Sequence, residues 1–187
     1  MSQPCIDVMS LPDITKPEMD LLESSFFESG GPTMPQLPTP ASIIDQHGDS
    51  ERARVIIIEN PPMAVKVGGP EELRLEEVQA MCAIRQVFPK GEVPVPEVFG
   101  WRHHGEQLFV YMSLVQGKTL QAAWPELIED DKERLQASLR STVASLRGIV
   151  QENPQAVGTL CLAPGRLIPT DRTCRLCEPR RSPGQIL

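Results

Sequence analysis

Between Val55 and Val67 the chain reads VIIIE, then Asn-Pro-Pro, then MAVKV. Two β-branched runs of strand length around a proline turn leave little choice but an antiparallel hairpin, because β-branched side chains favour the pleated conformation and proline closes the turn. One cation, Lys66, interrupts the second run. Side chains alternate along a strand, so Ala64 and Lys66 share one face while Met63, Val65 and Val67 share the other.

Further strands and helices follow. After the turn signal GGP at 68–70, the spacing predicts a helix over 71–87 with an acidic first turn, Glu71 and Glu72, at the positive end of its dipole. Its apolar positions Leu73, Val78, Met81, Ile84 and Phe88 recur at helical spacing and predict one buried face. VPVPEVFGW at 93–101 leads into a strand, and QLFVYM at 107–112 returns after a turn at His104-Gly105. A long helix is expected over 130–151, its stripe of Leu135, Leu139, Val143, Leu146 and Val150 packing under the sheet. The fold class read from this order is α+β.

Composition narrows the functions. Of 18 basic and 25 acidic residues, five arginines and two acids lie beyond position 160, so the first 160 residues hold 13 basic against 23 acidic side chains. That balance argues against a nucleic-acid surface. No apolar run has the length of about 20 residues needed to span a bilayer, and no leader pattern opens the chain, so no membrane partner and a cytoplasmic location are expected. The five cysteines, at 5, 82, 161, 174 and 177, are odd in number and scattered, and read as thiols.

Lys66 and Ala64 facing one cleft is what a nucleotide requires: alanine leaves room for the edge of an adenine and lysine supplies a point charge for phosphates. On the following helix, Glu77 shares a face with Met81, Ile84 and Phe88, so a carboxylate sits among inward apolar residues. An ion pair with Lys66 satisfies both charges. Glu76 is the rival partner, and a solvated acidic face including both glutamates is the alternative.

EVQAMCAIRQV (77–87), VPVPEVFGW (93–101) and YMSLVQGKTLQAAW (111–124) resemble the aminoglycoside phosphotransferase and choline kinase-like family, above all its fungal branch. SFFESGG (25–31) and LPTPASII (37–44) resemble the lead-in of those fungal sequences, and the likeness runs from Ser25 to Leu160. The resemblance implies a kinase-like N-lobe, an antiparallel sheet with one helix behind it, over 43–120 including a connector. Proline content over 1–42 predicts a mostly disordered lead-in, with one turn of helix near Phe26 and Phe27 docking on the body. The start of a C-lobe over 121–160 and an irregular basic tail over 161–187 complete the division. By position, Met112, Ser113 and Val115 line the connector whose backbone meets adenine, with Lys66 and Glu77 as the ion pair and Ala64 beneath the base. Ser113 stands where the family often has an acidic residue. ATP is the implied ligand and Mg²⁺ the implied metal.

The family's catalytic loop, HGDxxxxN, cannot be placed. The HGD at His47–Asp49 precedes the lysine strand, and Arg54 stands where asparagine is required, so it reads as a turn. Without an acceptor-facing Asp or metal ligands, phosphoryl transfer should fall by orders of magnitude. The expectation is a shortened family member, breaking off after VGTL at 157–160, that binds ATP weakly and is catalytically inactive. The alternatives are a non-catalytic module that binds a protein partner through its bared lobe surface, or a functionless truncated product. Cys161, Cys174 and Cys177 lack a fourth ligand for structural zinc. His103 and His104 read as solvated turn residues.

Overall fold

The structure is a computed structural model, and it describes residues 6–28, 34–49 and 52–149. A 3-10 turn at Val8–Ser10 leads to strand β1 (Glu18–Asp20), helix α1 (Ser25–Glu28) and helix α2 (Pro40–His47). Strands β2 (Arg54–Glu59) and β3 (Pro62–Gly68) follow, then helix α3 (Leu75–Val87) and strands β4 (Val98–His104) and β5 (Gln107–Ser113). Helix α4 (Leu120–Ala123), a 3-10 turn at Trp124–Glu126 and helix α5 (Glu129–Arg147) complete the order. The fold is α+β. Its five strands form one antiparallel sheet in the order β1-β4-β5-β3-β2.

The β2–β3 hairpin closes at Asn60-Pro61, with Glu59 opposite Pro62. Its register alternates as the residues dictate: Ile56 pairs with Val65 on one face, and Val55 with Lys66 and Ile57 with Ala64 on the other. β3 continues into β5 with Ala64 opposite Met112 and Lys66 opposite Val110. Each face of the sheet thereby acquires its own core. Met63, Val65, Val67, Phe109 and Tyr111 face one way, and Ala64, Val110, Met112 and Trp101 the other.

The helix expected from Glu71 begins at Leu75 instead. Residues 69–73 form a turn in which Glu72 and Leu73 both donate to the Gly69 carbonyl, at 3.0 and 2.9 Å, and Leu73 is tucked against Gly68. Arg74 is extended, so the acids at the helix start are Glu76 and Glu77, not Glu71 and Glu72. Leu75, Val78, Gln79 and Ala83 are the buried positions, with Met81 and Ile84 half-buried beside them. His103 and His104 lie at the end of β4; the turn itself is Gly105-Glu106, with His104 opposite Gln107.

The lead-in departs most from its expectation. Where described, residues 6–42 include regular elements and buried side chains as well as exposed ones. β1 adds a strand to the sheet edge, with Met19 opposite Trp101 and Asp20 opposite Gly100. The docking of Phe26 and Phe27 holds: both are buried, and Phe26 stacks on Phe99 with ring centroids 5.3 Å apart. Together with Leu37 and Ile43 they roof the sheet face opposite α3. The physical reason is that prolines bar regular ladders but not burial, and Phe26, Phe27 and Leu37 supply large apolar area to bury. The Tyr111 hydroxyl donates to the Pro38 carbonyl at 2.7 Å and Trp101 Nε1 donates to the Lys16 carbonyl at 3.1 Å, giving both buried polar groups partners.

The other departure is α5. It spans Glu129–Arg147, and none of its residues is buried; Leu139, Val143 and Leu146 are exposed. The expected packing under the sheet does not occur, because the sheet face it would take is already covered by α3. The expected helical residues Val150 and Gln151, the VGTL break, the arginine-rich tail and the Cys161, Cys174, Cys177 group lie outside the described residues. No helix among the described residues is long and apolar enough to cross a membrane.

Candidate functional site

Lys66 projects from the middle of β3 toward the side occupied by α3. Its Nζ donates to both carboxylate oxygens of Glu77, at 2.6 and 2.8 Å. Of the two glutamates open in sequence, the helix start at Leu75 brings Glu77 to the lysine. Both groups remain partly in water, 28% and 43% exposed, so the pair contributes on the order of 0–1 kcal/mol to stability. Its consequence is positional. Two of the three ammonium N–H groups are committed to Glu77, which fixes the third.

The hairpin register adds residues beside this cation that sequence reasoning did not single out. Val55 and Ile57 lie on the Lys66 and Ala64 face and are 60% and 57% exposed. They sit on β2, the sheet edge, beyond the cover of α3. An uncovered pair of β-branched residues next to buried Ala64 makes a flat apolar platform at the flank of a held ammonium. The signal was present in sequence as strand alternation, once Ile57 is paired with Ala64 across the turn.

No protein-family model, no curated protein and no solved structure matches the chain.

The connector residues divide. Met112 is buried on the Ala64 face, opposite Ala64 in the ladder. Ser113 ends β5, and its N–H donates to the Glu97 carbonyl at 2.8 Å while its hydroxyl accepts from the Glu97 N–H at 2.9 Å. Its backbone donor is therefore spent on the body. Val115 is 70% exposed, where the chain leaves the sheet. Lys66, Glu77, Ala64 and Met112 thus gather on one face, with Ser113 and Val115 at its rim.

Glu97 was not anticipated either. Its carboxylate accepts from the Ser25 hydroxyl and N–H and lies 3.4 Å from Arg85. One half-buried acid ties the lead-in, α3 and the start of the connector together.

The HGD tripeptide forms the end of α2. Gly48 caps the helix at φ 77°, a conformation suited to glycine, and its N–H donates to the Ile44 carbonyl at 2.8 Å. Arg54 donates to the carbonyls of His47 and Gly48, and Asp49 accepts from Gln107 at 3.0 Å. The His103 ring Nδ1 lies 2.8 Å from the Pro17 carbonyl, a contact that joins β4 to the lead-in. Cys82 on α3 is a free thiol, and burial pushes its pKa up to about 11, leaving it protonated and unreactive at neutral pH.

Proposed function

We propose that the chain is the nucleotide-holding part of a small-molecule kinase fold of the aminoglycoside phosphotransferase type, and that its activity is weak binding of ATP. The carrying observation is the Lys66 ammonium gripped by both oxygens of Glu77 beside the uncovered Val55 and Ile57. A charge already oriented loses little freedom when a phosphate arrives, and its third N–H is available to a phosphate oxygen. The platform of Val55, Ile57 and Ala64 offers apolar area to a purine, with Met112, Ser113 and Val115 along the rim where its edge would lie.

Phosphoryl transfer is outside this proposal. The loop that should supply an acceptor-facing Asp is not found in the sequence, and among the described residues no group of three or more His, Cys, Asp or Glu side chains is arranged to hold a metal ion. No step is assigned to Mg²⁺. A second reading, a module that binds protein, draws on the apolar side chains exposed at Leu120, Trp124, Ile128, Leu139, Val143 and Leu146.

The test is thermal melting of the full chain with ATP. At ATP ten times its Kd, stabilisation should be about 1.4 kcal/mol, a rise of roughly 3–6 °C. Lys66→Ala should abolish the rise while leaving the unliganded melt nearly unchanged. Glu77→Gln should weaken it about tenfold in Kd, because the ammonium loses its anchor. An unaltered ATP response in Lys66→Ala, or no response in a folded wild type, would overturn the reading.

A further inference from the structure

We propose that the exposed face of α5 seats a second copy of this chain, the two α5 helices packing antiparallel about a two-fold axis. This is independent of the nucleotide reading, since it uses only residues 128–147.

At about 100° per residue, Leu135, Leu139, Val143 and Leu146 fall within roughly 80° of the α5 surface, a single stripe. The last three are exposed, and Ile128 at the start of the helix extends the stripe and is exposed as well. Leu135 is half-buried, and none of the stripe is fully buried. A stripe this apolar on a helix without a buried residue is the surface an association would remove from water.

The charges choose the occupant. Glu129, Asp130, Asp131 and Glu133 crowd the first turns with Lys132 and Arg134 against them, while Arg140 and Arg147 follow with no acid. One end of the helix carries a net of about two negative charges and the other about two positive. Packed parallel, two copies would set like ends together. Packed antiparallel they set opposite ends together, and a two-fold axis supplies the match twice. The helix dipoles favour the same direction.

The register follows from the pitch. Glu129 and Arg147 are 18 residues apart, about five whole turns, so they lie on one flank of the stripe. An axis through Ser138 brings Glu129 of each copy opposite Arg147 of the other and places the two Leu139 side chains beside the axis. Glu129 is free to turn toward that partner: its side chain is 78% exposed and its contact with Lys132 is long, at 3.4 Å. One helix pair is a small interface, so the association is reversible and in the micromolar range.

Sedimentation of the full chain from about 5 to 200 µM spans that range and reads the equilibrium directly. Wild type should pass from monomer to dimer. Leu139→Glu should weaken dimerisation at least tenfold without lowering the melting temperature. Glu129→Arg and Arg147→Glu should each weaken it about tenfold, and the two together should restore it to within about threefold. Positions 129 and 147 are about 27 Å apart along one helix, so restoration reports contact between copies and not within one. Helix content by circular dichroism checks that the variants stay folded. A chain monomeric throughout, a dimer indifferent to Leu139→Glu, or a double variant no better than either single one would overturn the proposal.

Discussion

The lead-in and α5 sit at opposite ends of the described chain and reverse the roles their compositions suggest. The lead-in is rich in proline and irregular, yet it supplies Phe26, Phe27 and Leu37 to the core and a strand to the sheet. α5 has a clean amphipathic stripe and contributes no buried residue. Amphipathic spacing states that a face is fit for burial, not that this chain contains the surface to bury it. Proline content states that a segment cannot propagate a ladder, not that its aromatic residues stay in water.

The strongest way to break this contrast is to truncate one apolar residue in each region. Phe27→Ala should cost about 3–5 kcal/mol, read as a fall in denaturation midpoint, because a buried ring leaves a cavity. Leu139→Ala in dilute solution should change stability by less than about 0.5 kcal/mol. Comparable losses at the two sites would erase the distinction.

Gly100 tests how β1 is held. A Cβ there would run into the Met19 carbonyl oxygen, so Gly100→Ala should push β1 off the sheet edge at a cost of about 1–3 kcal/mol. Hydrogen exchange should then rise in residues 17–21, which bond to β4 through Leu21 to Phe99 and His103 to Pro17. Exchange that rises evenly over the whole sheet would mean that β1 and the sheet unfold together.

Tyr111→Phe removes one tie between sheet and lead-in and should cost about 0.5–1.5 kcal/mol. It carries a pH signature. Burial raises the pKa of the Tyr111 hydroxyl and of the Cys82 thiol, the latter to about 11. Both groups are neutral when protonated, so the folded state holds their protons more tightly than the unfolded chain does. Their contribution is complete below the unfolded pKa values, about 9 for the thiol and 10 for the phenol, and is lost as pH climbs past them. Chemical denaturation at pH 8 and pH 10.5 should show the loss, and Tyr111→Phe with Cys82→Ala should flatten it. A slope unchanged in the double variant would place the titration elsewhere.

Lys66→Ala should have only a small effect on stability. The pair with Glu77 is partly solvated, so its removal should cost no more than about 1 kcal/mol, and less at high salt. A larger loss would make the pair a structural tie of the same kind as Glu97 with Ser25 and Arg85.

The hairpin, the β4–β5 pair and the two long helices were legible because each is specified by neighbours in sequence. The same holds for Ala64 and Lys66, which two-residue alternation alone places together. What was not legible depended on exchange between distant segments. The Glu76 and Glu77 alternatives differ by one residue, and local acidity does not separate them; the turn that folds Leu73 against Gly68 and delays α3 to Leu75 does. The exposure of Val55 and Ile57 followed from the sheet order, which leaves β2 at an edge. Glu97 showed no pattern at all, since its partners lie 72 residues before it and 12 before it.

By itself, then, the order of residues determined which segments extend, which coil and which side of each is apolar, for these follow from backbone sterics and side-chain period within a few residues. Only the tertiary structure decided which apolar sides find a partner. Burial is a contest among all the chain's surfaces for a limited area of sheet: the lead-in took one face, α3 took the other, and α5 was left with none.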